Sequence, residues 1–231
     1  MKIFTPCCNE FLFLLPGYFY TINKYWKGAE IIVLGYDVPN TVLPHNVKFV
    51  SLGKQTRDWS APLIQYFEQS DEEVFVLNLE DMFLVDYVDT SKIDKIMKKF
   101  EKGEADKAML HFYMPNTVID LEDGFVEIKQ TEPYRTSLHP AIWSRQYFLK
   151  HLRPNMSPWA FEIQHKRTKN DGAKIIYTKD SICPNAIFNT SNIHTRGKLN
   201  ATALKLKTDK HRNGLVHKED IVNLKKLIGL A

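Results

Sequence analysis

Residues 74–86 read VFVLNLEDMFLVD, and the interpretation of this stretch decides the fold. Val74 to Leu79 is β-branched or large and apolar apart from Asn78, the composition of a strand covered on both faces of a sheet. Glu80 and Asp81 then follow side by side, and apolar residues resume at once with Met82, Phe83 and Leu84. Two adjacent carboxylates at the end of a buried strand repel each other and resist desolvation. Compensation has to come from water at the rim of the sheet, from hydrogen bonds within a turn, or from a bound cation.

Outward from this stretch, short apolar runs alternate with segments of helical periodicity, the pattern of a layered α/β domain. Strands are expected at 2–5, 30–34, 47–52 and 73–79, then at 107–114, 125–129, 137–143 and 174–178. Helices are expected at 16–26, at 58–70 with Asp58 as N-cap, and at 91–102, stopped by Gly103. Further helices are expected near 146–152, 159–166 and 218–227. The 231 residues contain no internal repeat or long linker, so a single domain is expected, with a nucleotide-binding half at 1–105, an acceptor-side half at 106–200 and a basic segment at 201–231.

Composition narrows the function. A net charge of +4 is too mild to argue for a nucleic-acid partner. Cys7, Cys8 and Cys183 lack the spacing of a zinc site or disulfide framework, which favours a reducing, cytoplasmic compartment. No apolar run reaches the ~20 residues of a membrane span. Basic residues concentrate after Arg196; they read first as a solvated helical surface, with peripheral membrane contact or a lid over the ligand as the sharper readings.

Ligands of open α/β sheets collect beyond the carboxyl ends of the strands. Thr5, Cys7, Asn9, Gly35, Tyr36 and the Glu80–Asp81 pair all follow expected strands and gather at that rim. Magnesium and manganese prefer carboxylate oxygen and bridge to substrate phosphates, so the pair suits either.

Longer stretches add a resemblance. RDWSAPLIQYFEQSDEEVFVLNLEDMFLVDYVD, residues 57–89, resembles a segment of a glycosyltransferase family found often in phages and large viruses. YRTSLHPAIWSRQYFLKHLRPNMSPWAFE, residues 134–162, is similar to a later signature of that family, and TPCCNEF with NKYW looks like its opening. The resemblance implies a GT-A-like, Rossmann-like α/β domain with a mixed, mainly parallel central sheet flanked by helices. It implies a nucleotide-diphosphate sugar donor, a divalent metal (Mn2+ or Mg2+) held by an acidic motif, and a glycan or other hydroxyl acceptor. Glu80 and Asp81 stand in the place of that motif, without a spaced Asp-x-Asp, and Asn9-Glu10 stands where an aspartate is common.

Within this frame His194 is a candidate third metal ligand, and Arg196 and Lys198 are candidates to steady the diphosphate. Thr5, Cys7, Arg57 and Asp58 are candidates for the donor side, although a plain N-cap also explains Asp58. Glu162 is the candidate general base, Trp159 offers a face to an acceptor sugar, and His139 faces the cleft or ends a strand. Each also has a structural reading: a helix-orienting carboxylate, a core tryptophan, a surface histidine. Two other function classes stay open, a non-catalytic nucleotide- or carbohydrate-binding module and a nucleotidyltransferase. The second would carry a glycine-rich, basic loop after the first strand, and TPCCNEF is neither.

Overall fold

The computed structural model describes residues 1–84, 86–110, 118–121, 123–178, 185–187, 194–195, 198–199, 207–208 and 218–229. Four strands, β1 (Lys2–Pro6), β2 (Glu30–Gly35), β3 (Val47–Ser51) and β4 (Val74–Leu77), lie parallel, with β1 between β2 and β4. Next, β5 (Met82–Leu84) leaves for a second sheet. β6 (Lys107–Met109), β7 (Val118–Asp120), β8 (Phe125–Ile128), β9 (Ala141–Ser144) and β10 (Ile175–Thr178) complete a nine-stranded sheet of order β3-β2-β1-β4-β9-β6-β10-β8-β7. Only β8 and β9 run against the rest, so the sheet is mixed and mostly parallel. Both halves of the sequence therefore share one sheet, joined where β9 pairs with β4. The second sheet sets β5 against β11 (Asn185–Ile187), and β11 against β14 (Lys207–Thr208); β12 (His194–Thr195) and β13 (Lys198–Leu199) form a separate hairpin.

Alternate residues of each strand feed two core layers, which is why the strands read as unbroken apolar runs. Phe4, Ile32, Phe75, Leu77 and Trp143 face α2 (Ser60–Glu68), α4 (Arg145–His151) and α5 (Pro158–Glu162). Ile3, Ile31, Val33, Val76 and Ile142 face α1 (Leu15–Tyr25), α3 (Thr90–Glu101) and a C-terminal helix, Lys218–Leu227. Complete burial of each large side chain is worth about 1.5–3 kcal/mol.

Expected elements shift where side chains claim the backbone. The expected strand at 137–143 begins only at Ala141, because Pro140 lacks an N–H and Leu138 N–H donates to Glu162 instead. The expected helix at 159–166 breaks into α5 and the short α6 (His165–Thr168), where Gln164 Nε2 donates to the carbonyls of Phe161 and His151. Residues 111–114 of the expected strand at 107–114 lie outside the described residues, and β7 carries no pattern in the sequence that marks it.

The C-terminal helix, α7 in chain order, docks through one buried carboxylate. Asp220 accepts hydrogen bonds from Tyr20 Oη at 2.8 Å, Lys24 Nζ at 2.6 Å and Tyr25 Oη. Gly17 admits the helix: a Cβ there would sit 2.8 Å from the Phe83 ring and 3.1 Å from Ile228 and Leu224. Phe83 belongs to β5, so α1 meets both the C-terminal helix and the strand that leaves the acidic pair at Gly17.

Candidate active site

The acidic pair occupies the centre of a turn. Met82 N–H donates to the Leu79 carbonyl at 3.1 Å, which leaves Glu80 and Asp81 as the two central residues. Asn78, the polar exception in the run, ties the turn down: its Nδ2 donates to the Met82 carbonyl at 3.2 Å and to Tyr18 Oη at 2.9 Å. Thr5 Oγ1 shares the same Tyr18 hydroxyl at 2.9 Å. The polar residues at the strand ends thus hold the backbone of the turn.

Burial raises both carboxyl pKa values above the ordinary carboxylate range, Glu80 further through the Asp81 charge and Asp81 further through Glu162. Neither carboxylate has an ion-pair partner among the described residues, and Asp81 Oδ1 is buried there without a hydrogen bond. Among the nine such buried side-chain atoms of the described residues it is the carboxylate oxygen, the type a cation would satisfy. Donor type and burial suit a hard divalent cation. No third histidine, cysteine or carboxylate joins the pair as a metal cluster among the described residues.

A cavity of about 320 Å³ opens beside the turn, at the carboxyl ends of β1, β2 and β4. Cys7, Leu34, Tyr36 and Leu63 give it an apolar lining; Glu80 and Asp81 close one side, and Gln55, Thr56 and Arg57 lie on another. Gln55 is anchored by accepting from Asn9 N–H at 2.7 Å and donating to Glu10 at 2.9 Å, and Asn9 Nδ2 donates to Asp37 at 2.6 Å. Burial, then the Glu80 charge, pushes the Cys7 thiol up and raises the Cys8 thiol to about 12, so neither is a nucleophile at neutral pH.

A second cavity of about 300 Å³ lies on the other side of α5, which contributes Pro158 to the first cavity and Trp159 with Glu162 to the second. Ser157 caps this helix by accepting from Ala160 N–H at 3.1 Å, and Pro158 suits its first turn. Leu138 N–H donates to Glu162 Oε1 at 2.7 Å, with Ser137 Oγ at 3.4 Å. His139 lines the same cavity, its pKa lowered to about 4 by burial and then by the Lys107 charge, so its imidazole is neutral.

The fold brings Cys7, Arg57, Glu80 and Asp81 to the first cavity, and His139, Trp159 and Glu162 to the second. Thr5 and Asp58 line neither. Thr5 is fully buried on Tyr18, and Asp58 spends its carboxylate on Ser60 N–H and Ala61 N–H, both at 3.0 Å, and on Asn155 N–H at 2.8 Å. Arg196 lies outside the described residues; His194 and Lys198 are described only by the pairing of β12 with β13. Sequence reasoning did not find Gln55, Glu132 or Tyr134. Only a loop conformation brings them to the cavities, and no periodicity reports it.

The architecture is that of GT-A glycosyltransferases and nucleotide-sugar pyrophosphorylases. It is similar to a 1–349 fragment of S. aureus TarS, with a TM-score of 0.54 at 11% identity, covering 97% of this chain and 71% of that one. The same fragment in complex with UDP-GlcNAc gives 0.51 at 11% identity over 78% of this chain. UDP-glucose pyrophosphorylase complexed with UDP-glucose gives 0.50 at 13% identity, covering 80% of this chain and 92% of that one. The chain spans 56% of the TarS fragment bound to UDP-GlcNAc and 35% of a longer TarS structure. No protein-family model and no curated protein matches the sequence. None of the described helices is long and apolar enough to cross a membrane.

Proposed function

We propose that the chain is a glycosyltransferase that binds a nucleotide-diphosphate sugar in the first cavity and passes the sugar to a hydroxyl acceptor in the second. The observation that carries this reading is the pair of buried, charge-uncompensated carboxylates closing a cavity at the carboxyl ends of parallel strands. Glu80 and Asp81 hold Mn2+ or Mg2+ in this account. When bound, the ion supplies Lewis-acid stabilisation of the charge that builds on the departing diphosphate.

This chain's own residues do the remainder. Arg57 adds a positive charge at the cavity wall, and Arg196 with Lys198 would supplement it, with His194 as a further metal ligand. Glu162 accepts the proton of the acceptor hydroxyl in an inverting transfer, held in place by Leu138 N–H and Ser137 Oγ. α5 separates donor from acceptor, and Glu162 lies close enough to Asp81 for their charges to interact.

Pyrophosphorylases share the fold and are the second reading. The segment after β1, Cys7 to Leu14, holds neither glycine nor a basic residue and folds into a 3-10 turn at Asn9–Leu14, which disfavours it. Calorimetric titration with a panel of nucleoside diphosphates, with Mn2+ and then with chelator, tests the proposal. Metal-dependent binding of one nucleotide, followed by release of sugar from the matching nucleotide sugar, is the expected result. A folded chain that binds no nucleotide under either condition refutes it.

A further inference from the structure

The segment that follows α4 and carries α5 and α6 presents more surface than the two cavities use. Between Arg153 and Lys169 it holds four lysine and arginine residues and one carboxylate, Glu162. Glu162 is engaged at the second cavity, where it accepts from Leu138 N–H at 2.7 Å. Arg153, Lys166, Arg167 and Lys169 form no ion pair among the described residues, whereas Lys2, Lys24, Lys48, Lys99 and Arg145 are each met by an acid. Burial, then the Arg167 charge, lowers the Arg153 pKa, the mark of like charges held close with no acid to offset them.

Large apolar side chains stand exposed in the same segment. Ile163 N–H donates to the Trp159 carbonyl at 3.1 Å, so the two residues lie one helical turn apart. Trp159 is 61% exposed and Ile163 45%, while Phe161 and Thr168 fill the inward side. Gln164 locks the junction of α5 with α6: its Nε2 donates to the carbonyls of Phe161 and His151, and Arg153 Nη2 donates to its Oε1 at 3.2 Å. Tyr134, 49% exposed, joins Trp159 at the second cavity. A soluble polyanion would engage the cations and leave Trp159 and Ile163 in water. An anionic lipid surface engages both, with the apolar side chains at the acyl boundary and the cations at the headgroups.

We propose that the face formed by Trp159, Ile163, Lys166, Arg167 and Lys169, with Arg153 beside them, docks the protein on membranes rich in anionic lipid. Because Trp159 also lines the second cavity, docking by this face turns that cavity toward the lipid. The proposal stands apart from the glycosyltransferase reading, and its test contains neither nucleotide nor metal. The full chain is sedimented with vesicles of phosphatidylcholine alone, and with vesicles in which about a quarter of the lipid is phosphatidylglycerol. Long-chain polyphosphate serves as a soluble polyanion in competition.

Binding to the anionic vesicles is expected, about tenfold or more tighter than to the neutral ones. Lys166→Gln/Arg167→Gln is expected to weaken it about thirtyfold, each basic side chain near an anionic surface contributing about fivefold. Trp159→Ala/Ile163→Ser is expected to weaken it about tenfold through lost apolar burial. Neither double variant should shift the melting temperature, because all four side chains are exposed. No binding to the anionic vesicles overturns the proposal. Binding that both double variants leave intact also overturns it, and moves the contact to the basic residues after Arg196. Binding that the basic variant loses, the apolar variant keeps and polyphosphate abolishes makes the face a polyanion site, and overturns the membrane assignment.

Discussion

The two cavities flank one short helix and are built on opposite terms. In the first, regular strands end at a turn whose backbone is fully tied by Asn78 and Tyr18, and the charge is left without a counter-charge. In the second, an irregular loop is tied by two buried basic residues: Arg135 pairs with Asp171, and Lys107, its pKa pushed well down by burial, donates to the carbonyls of Arg135 and Ser137. Unanswered charge in a rigid frame marks the place where a ligand brings its own charge.

The largest effect should come from breaking the scaffold of the second region. Arg135→Met leaves Asp171, 3% exposed at its side chain, without its guanidinium and held by Ala173 N–H at 3.0 Å and His151 at 2.9 Å. Removing one partner of a buried pair costs about 3–5 kcal/mol, read as a lower denaturation midpoint with an unchanged slope. Asp81→Asn in the first region should do the opposite. Metal-dependent nucleotide binding should weaken by about two orders of magnitude, since even indirect partners of a metal cost 10–100-fold. The metal-free variant should melt no lower than the parent at neutral pH, because a neutral amide is less costly to bury than a carboxylate.

The pH dependence sharpens the contrast. Glu80 and Asp81 have raised pKa values, so the folded state holds more protons than the unfolded state between the ordinary carboxylate range and those raised values. Their contribution to stability therefore falls as pH rises through that window. His139 has the opposite sign. With its pKa lowered to about 4, the folded state binds fewer protons below the ordinary histidine value, and stability is lost on acidification. With chelator present, the melting temperature of Glu80→Gln/Asp81→Asn should rise relative to the parent between pH 5 and pH 8. Mn2+ should stabilise the parent most at the upper end, where proton competition is least.

A smaller effect links the C-terminal helix to the acidic turn. Gly17→Ala places a methyl 2.8 Å from the Phe83 ring, and overpacking of that kind costs about 1–3 kcal/mol. If α7 sets the position of β5, weaker Mn2+ affinity should accompany the loss of stability; unchanged affinity would show that β5 is held by its own sheet.

The sequence made the first region legible for a physical reason. Strands covered on both faces leave continuous apolar runs, and Glu80 and Asp81 interrupt the most apolar of them. Conformation alone separates Cys7, which faces the cavity, from Thr5, whose hydroxyl is turned onto Tyr18. Asp58 was open to two uses, and its four hydrogen bonds within the protein commit it to structure. In the second region Glu162, Trp159 and His139 were visible through the resemblance. Glu132 and Tyr134 were not, because their position depends on a turn held by the adjacent Arg135 and by Lys107 from the distant strand β6. A lysine opening the apolar run AML was the one local signal of that scaffold.

The most direct test of the central claim is a Mn2+ titration of the full chain followed by the electron paramagnetic resonance of free Mn2+, in the presence of UDP. The account predicts saturable loss of the free-ion signal at one site per chain, absent in Asp81→Asn and weakened as pH falls. Equal binding by the parent and by Asp81→Asn, or none by either folded protein, would contradict it. The acidic pair would then be a turn that carries its charge without a cation.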